Sequence, residues 1–492
     1  MATKSETPPH FVLFPFMAQG HMIPMMDIAK LLAQQGVIIT IVTTVVNAKR
    51  FESTLARAIQ SGLQMKFIEV QFPSEEVGLP KGCETFDLLP SLALASEFFK
   101  AAQMLQEQVE KLFEKLSPRP TCIISDMCLP YTARVATKFG ITRVSFSGTS
   151  SFFSLLWYKI PPNCQFLQSI KSDTELFVVP DLPGGIEMTK DQLTKAVFQD
   201  EEFNNDVIEA EMATYGVIVN SFEGLETVYH QEYKKIKEDK VWAIGPVSLS
   251  NEDNMDMLHR GNKASIDVYE FLFNWLDSQE PESVIYVCLG SICNLIPSQL
   301  MELGFGLEAS GIPFIWVLRG DRNSKELEKL LAEDGFEERI QGRGIVVRGW
   351  VPQVAVLSHS AVGGFITHCG WNSIQEAVSA GIQMITWPLF ADQFCNERLV
   401  VDVLNIGVKV GVSSSMKWGQ EEKIGIVVKR EDVKKAVKKL MNAEDESKER
   451  RKRVKEFSKL AKEAIEENGS SCLNLKLLIQ DVMEHAGSIT SI

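Results

Sequence analysis

At 492 residues the chain is longer than one average domain, and length alone favours two or three, each able to bury a substantial core. A formal charge of −14 excludes the clustered positive footprint needed to hold nucleic acid or an anionic membrane. The apolar run from Phe11 to Ala18 is broken by Gln19, Gly20 and His21 before it could serve as a signal or membrane span, and the nine cysteines are odd in number and form no CxxC pair. A cytoplasmic chain with reduced core cysteines is expected.

HFVLFPF (10–16) reads as a first strand, followed by the turn Met17-Ala18-Gln19-Gly20 and an amphipathic helix from His21 to Gln34. VIITIVTT is a second strand, a helix covers Lys49 to Gln60, and MKFIEVQ is a third strand. This βαβαβ alternation predicts a parallel sheet with helices on both faces and a site at its strand ends. The loop 72–90 leads to one long helix ending at Leu116, then to strand TCIIS ending at Asp126 and strand ITRVSF. YGVIVN and VWAIG close the first half, residues 1–247. SLSNEDNMDMLHRGNKASID (248–267) is polar and aperiodic, which predicts a surface linker.

The pattern resumes in 268–470. SVIYVCLG is a buried strand ending at Gly290-Ser291, and PFIWVLR, GRGIVVRG, VGGFIT, QMITWP and GVKVGV follow with helices between them. The charged stretch KWGQEEKIG reads as a loop that interrupts this domain. The charge-rich end is helical, with EDESKERRKRVKEF as a solvated face.

The informative stretch is WVPQVAVLSHSAVGGFITHCGWNSIQEAVSAGIQMITWPLFADQ, from Trp350 to Gln393. VGGFIT stops at His368-Cys369-Gly370, and Trp371-Asn372-Ser373 opens a helix that carries Glu376. A helix start offers unpaired N–H groups and the positive end of its dipole, which suits a phosphate. His368, Asn372 and Ser373 can add hydrogen bonds, and Glu376, one turn below Asn372, can accept from ribose hydroxyls. Asp392 and Gln393 end the next strand, where open α/β sheets bind ligands, and suit a polyol.

This stretch resembles the signature box of plant family-1 UDP-sugar glycosyltransferases, whose length it shares: 393 − 350 + 1 = 44 residues. The resemblance implies the GT-B fold, two facing Rossmann-like doubly wound domains with a cleft between them. It also implies that the terminal helix, 471–492, crosses back onto the first domain. It assigns uracil stacking to Trp350, the ribose to Glu376, the diphosphate to His368, Asn372 and Ser373, and the sugar to Trp371, Asp392 and Gln393. Gln353 and Ser291 complete the expected donor site. Tryptophan at 371 and glutamine at 393 go with UDP-glucose in that family.

Transfer to a hydroxyl needs a base that titrates near neutral pH. His21 lies after the first strand, where its side chain would point into the cleft, and Asp126 ends a strand that crossover rules place nearby. A lone strand-end histidine is usually structural, and Asp126 could simply cap a helix; the resemblance makes the two a catalytic pair. It implies a single inverting displacement, with UDP leaving against His368, the helix start and Ser291. No Asp-x-Asp occurs, which argues against a metal-dependent transferase, and no cofactor is expected.

Rival chemistries lack their motifs: no G-x-G-x-x-G follows a predicted strand, and neither GxxxxGK[ST] nor GxSxG appears. A non-catalytic UDP-sugar or small-molecule binding protein of the same fold is the alternative. The expected partners are small molecules alone, and the chain is expected to be a monomer. Phe86, Phe152, Trp157 and Phe390 are the candidate wall of an acceptor pocket for a hydrophobic aglycone. Details of the box and of SVIYVCLGSICNL resemble the subgroup that acts on triterpenoids, steroids and flavonoids.

Overall fold

The computed structural model describes residues 8–161, 164–193, 201–250, 257–258, 260–261, 266–293, 295–318 and 324–489. Runs that are apolar at nearly every position form strands covered on both faces, as parallel sheets require. In the first half these are β1 (His10–Phe14), β2 (Ile38–Thr44), β4 (Cys122–Asp126) and β5 (Thr142–Ser147), with β3 (Met65–Val70) as a half-exposed edge strand that carries Lys66 and Glu69 outward. An antiparallel hairpin, β6 (Leu176–Val178) with β7 (Glu187–Thr189), precedes β8 (Gly216–Val219) and β9 (Val241–Ala243). Seven of these nine strands form one parallel sheet in the order β3-β2-β1-β4-β5-β8-β9.

The second half repeats the design with β10 (Val284–Cys288), β11 (Phe314–Leu318), β12 (Gly344–Arg348), β13 (Val362–Thr367), β14 (Met384–Thr386) and β15 (Gly407–Lys409). Their order is β12-β11-β10-β13-β14-β15, again parallel. Strand order reverses between β1 and β4 in one sheet and between β10 and β13 in the other. Crossovers run to opposite faces there, which leaves a crevice beyond the carboxyl ends of those strands.

Several expectations are corrected. The helix after β2 begins at Val45, directly after Thr44, rather than at Lys49. The single long helix is two, Ala95–Gln103 and Gln106–Phe113, and the break lets Leu105 drop into the core while Met104 stays exposed. The hairpin β6-β7 carries too short a pattern to be read from sequence. KWGQEEKIG is a mostly exposed loop with one short helix, Glu421–Ile424, as expected, but it also carries a packing residue: Trp418 is buried with its ring centroid 5.6 Å from those of Phe86 and Phe390, and Gly419 packs on Ala93 of the other half. The linker expectation fails at Arg260 and Gly261, which are packed inside the molecule; most of the remaining stretch lies outside the described residues.

The terminal helix Ser470–Ile489 lies against the first sheet. Asn474 Nδ2 donates to the Ala243 carbonyl at 3.1 Å, and Thr142 Oγ1 is 3.0 Å from His485 Nδ1. No helix among the described residues is long and apolar enough to cross a membrane.

Candidate active site

The two crevices open onto one cleft of about 200 Å³, lined by His21, Ser291, Trp350, Gln353, His368, Trp371, Asn372, Ser373, Glu376 and Asp392 among others. Ten of the expected catalytic and donor residues are therefore brought together, although they come from segments up to 371 positions apart, 392 − 21. Asp126 lies behind His21 with no exposure, and Gln393 is outside the lining.

His21 is the third residue of the helix Gln19–Gln34, which starts just beyond β1. Its Nδ1 is 2.7 Å from Asp126 Oδ2, and its side chain keeps 30% exposure toward the cleft. Burial pulls the imidazole pKa down, but the charge and hydrogen bond of Asp126 outweigh it, so it lies above the ordinary histidine value. Asp126 is held in turn by the Cys128 N–H, which donates to Oδ1 at 2.9 Å. With Nδ1–H committed to the carboxylate, Nε2 carries the lone pair, so the ring can take a proton on its open side. Phe16 covers another side of the ring edge-on at 5.3 Å. His21, Asp126 and Cys128 also place three potential metal ligands within 4.8 Å of one another, but burial pushes the Cys128 thiol well above its usual range and keeps it protonated.

On the other side, His368 begins the turn after β13. Its ring is sandwiched between glycines: a Cβ on Gly370 would stand 2.3 Å from Nε2, and one on Gly290 would stand 2.7 Å from it. Gly370 also begins the helix Trp371–Ala380 without any side-chain cap, so the first N–H groups of that helix have no side-chain partner from it. Gln353 Nε2 donates to Ser373 Oγ at 3.0 Å and to Glu376 Oε2 at 2.8 Å, so the three act as one unit. Burial pushes the Asp392 carboxyl up to about 6 against the bond it accepts from Asn396 Nδ2.

Some expected contacts differ. The Asn372 side chain donates to the Gly20 carbonyl and accepts from Asn220 Nδ2 at 3.1 Å, so it ties the halves together and only its backbone remains at the helix start. Trp371 Nε1 donates to the Asn220 carbonyl at 2.8 Å. Gln393 is buried, and its Oε1 accepts from the N–H groups of Leu389 and Phe390. Phe152 is core, edge-on to Tyr229, rather than a pocket wall. Trp157 lines a separate cavity of about 20 Å³ beside Phe153 and Met127. Phe86 and Phe390 both pack on Trp418.

Sequence reasoning missed three residues. Asn220 directly follows β8, close to the strand-end signal that marked Asp126. Asn396 is buried, accepts from Ser150 Oγ and donates to the Cys369 carbonyl, thereby holding the His368 turn. Arg260 sits in an aperiodic stretch and carried no signal; its guanidinium joins Glu376 to Asp27.

Two parallel doubly wound sheets with their switch points facing across one cleft, an imidazole–carboxylate pair on one side and an uncapped helix start on the other, define a GT-B transferase of nucleotide sugars. Family models agree: "Glycosyltransferase, N-terminal domain" matches residues 10–249, and "UDP-glucoronosyl and UDP-glucosyl transferase" matches 268–449. UDP-glycosyltransferase 73C11 of Barbarea vulgaris is 54% identical over 489 residues, 99% of each chain. UDP-glycosyltransferase 73C5 of Arabidopsis thaliana is 53% identical over 488, 98% of each. Among solved structures, Glycyrrhiza uralensis UGT73P12 complexed with glycyrrhetinic acid 3-O-monoglucuronide superposes with a TM-score of 0.89 at 38% identity, covering 98% of this chain and 96% of that one. The chain belongs to the plant family-1 UDP-glycosyltransferases.

Proposed function

We propose that this enzyme transfers glucose from UDP-glucose, with inversion and without a metal, to a hydroxyl of a hydrophobic plant metabolite of the triterpenoid, steroid or flavonoid type. The observation that carries the reading is the 2.7 Å contact of His21 with Asp126 across the cleft from the uncapped helix start and Asp392. His21 Nε2 takes the acceptor proton as the oxygen attacks the anomeric carbon from the face opposite UDP, and Asp126 stabilises the imidazolium. UDP leaves as an anion against His368 and the N–H groups of Asn372 and Ser373, donors fixed before the reaction begins. Trp371 and Asp392, at the sugar end of the cleft, support glucose.

For the acceptor, a chamber of about 640 Å³ lies between the halves, walled by Phe99, Phe203 and Trp418 with Lys100, Gln103 and Asp206 at its sides. Phe99 stacks on the buried Phe16 at 5.3 Å, and Phe16 lies edge-on to His21 at 5.3 Å, so a packed row of rings runs from the chamber's wall to the base. Its volume suits a polycyclic body bound by area with few polar contacts. The glycyrrhetinic acid derivative bound by UGT73P12 is a ligand of that kind.

The test is product formation from UDP-glucose, UDP-galactose and UDP-glucuronate with a panel of triterpenoids, sterols and flavonoids, read by mass spectrometry for the native chain and His21→Ala. Glucosides from the native chain and loss of roughly 10²-fold or more in the variant are expected. UDP binding without turnover on any acceptor would favour the non-catalytic alternative.

A further inference from the structure

Arg260 is the one charged group of the stretch between the two sheets that the described residues place inside the cleft. Its Nε donates to Asp27 Oδ2 at 2.9 Å, and its Nη1 donates to Glu376 Oε1. All three side chains are nearly closed to solvent: 9% exposed for Arg260, 6% each for Asp27 and Glu376. The neighbouring Gly261 fixes the segment, because its φ is +89° and a Cβ there would stand 2.4 Å from Ile23 Cδ1 and 2.9 Å from Trp350 Cη2. Only glycine permits that approach between the first helix and the expected uracil platform.

The two carboxylates belong to the two reacting halves. Asp27 lies on the helix Gln19–Gln34, whose first turn carries His21, and Glu376 lies on the helix Trp371–Ala380, whose first turn carries Asn372 and Ser373. We propose that Arg260 is a positioning residue for the transfer: one guanidinium straps the helix of the base to the helix of the donor and at the same time holds Glu376 for the ribose. The proposal rests on the donor site described above. Glu376 Oε1 is taken by Arg260 and Oε2 by Gln353, yet each oxygen keeps a second lone pair, so ribose hydroxyls can add without displacing either. Without Arg260, the Glu376 carboxylate that lines the donor cleft and the buried Asp27 would both lose their counter-charge. Arginine suits this place because its planar fork serves two carboxylates in fixed directions, whereas an ammonium is a single point.

Two functions in one group predict a split. Asp27→Asn loosens the strap but leaves Arg260 and Gln353 on Glu376, so the Kd of UDP by calorimetry stays within about twofold. Its kcat for transfer falls roughly tenfold, because misplacement by a fraction of an ångström between base and donor is enough. The share of UDP-sugar lost to water per transfer rises. Arg260→Met raises the Kd of UDP as well, by about tenfold, and Arg260→Lys recovers UDP affinity without recovering kcat. Native kcat and native hydrolysis share in Asp27→Asn would overturn the strap, and native UDP affinity in Arg260→Met would overturn the ribose role. Should Arg260→Met fail to fold, Asp27→Asn and Arg260→Lys decide the matter. Absence of transfer by the native chain would instead sink the reading of the whole site, and the UDP measurements would still stand.

Discussion

Replacing Asp126 by Asn removes a full charge 2.7 Å from His21 Nδ1 while keeping the side chain's shape and its acceptor for the Cys128 N–H. An opposite charge at that range holds a histidine up by about 1–3 units, each worth about 1.4 kcal/mol. Burial already pulls His21 the other way, so loss of the carboxylate should drop its pKa by at least about one unit. In the native chain the free base is needed, so kcat/KM should rise with pH through a value above 6.5, the ordinary histidine value, and fall on the acid side. In Asp126→Asn that acid limb should move to lower pH, while the plateau falls roughly 10²-fold or more because an amide can turn its N–H groups toward Nδ1 and favour the wrong tautomer. The ratio of native to variant rate should therefore shrink as pH falls. The assay is UDP release from UDP-glucose at limiting acceptor across pH 5 to about 9, a range chosen to bracket neutral histidine titration. An acid limb at the same pH in both proteins would show that another group controls it and would refute the pair.

Gly370→Ala should weaken UDP by about tenfold or more in calorimetry, because the new methyl must displace the His368 ring from 2.3 Å; an unchanged Kd would mean the ring has no part in donor binding. Transfer should survive excess EDTA undiminished, since helix start and His368 supply the positive potential, and activity abolished by the chelator and restored by Mg²⁺ would contradict that. Glu226→Ala should cost about 2–5 kcal/mol in a denaturant titration, because the carboxylate accepts from the buried N–H groups of Ser151 and Phe152 at 3.2 and 2.7 Å; a loss under about 1 kcal/mol would show those groups re-paired. Phe99→Ala should raise the acceptor KM more than it lowers kcat, measured with the best acceptor of the panel, since Phe99 walls the chamber and touches no reacting atom.

Most of the fold was readable because parallel strands covered on both faces must be apolar throughout, and such runs as FVLFPF and SVIYVCLG have few other readings. Their alternation with helices then left few topologies, since crossovers are right-handed. Shorter or less regular parts escaped: β6 and β7 are three residues each, too brief for any period, and the break at Met104-Leu105 contains neither Gly nor Pro. At the site, residues at strand ends were legible by position, as His21, His368 and Asp392 show. Phe152 was misread because an aromatic run at helical spacing looks the same whether it faces core or ligand, and only packing against Tyr229 decides. Arg260 was invisible for the opposite reason: its role depends on two carboxylates 233 and 116 positions away.

That asymmetry has a physical basis. A strand end or a helix start is a site by virtue of local backbone, so the residues near it advertise themselves in a short window. The register of two domains is a long-range quantity, and here it is set by side chains that spend their polar groups on the opposite half: Asn372 on Gly20, Asn220 on Asn372, Trp371 on the Asn220 carbonyl, Ser150 on Asn396, and Arg260 on both halves at once. Several of these are donor-side residues whose side-chain polar groups are spent across the cleft. Even the turns that present the site carry left-handed backbone at non-glycine residues, Cys369 with φ +66° and Ala391 with φ +57°, conformations that cost on the order of 1 kcal/mol or more and persist only where surroundings impose them. Asn396, bonded to Cys369 on one side, Asp392 on another and Ser150 of the other half on a third, is one such imposition. The donor turns are thus shaped partly from across the cleft, and cutting the chain between its sheets should leave a second half that binds UDP more weakly than the intact enzyme, even though the intact signature box would be present in it.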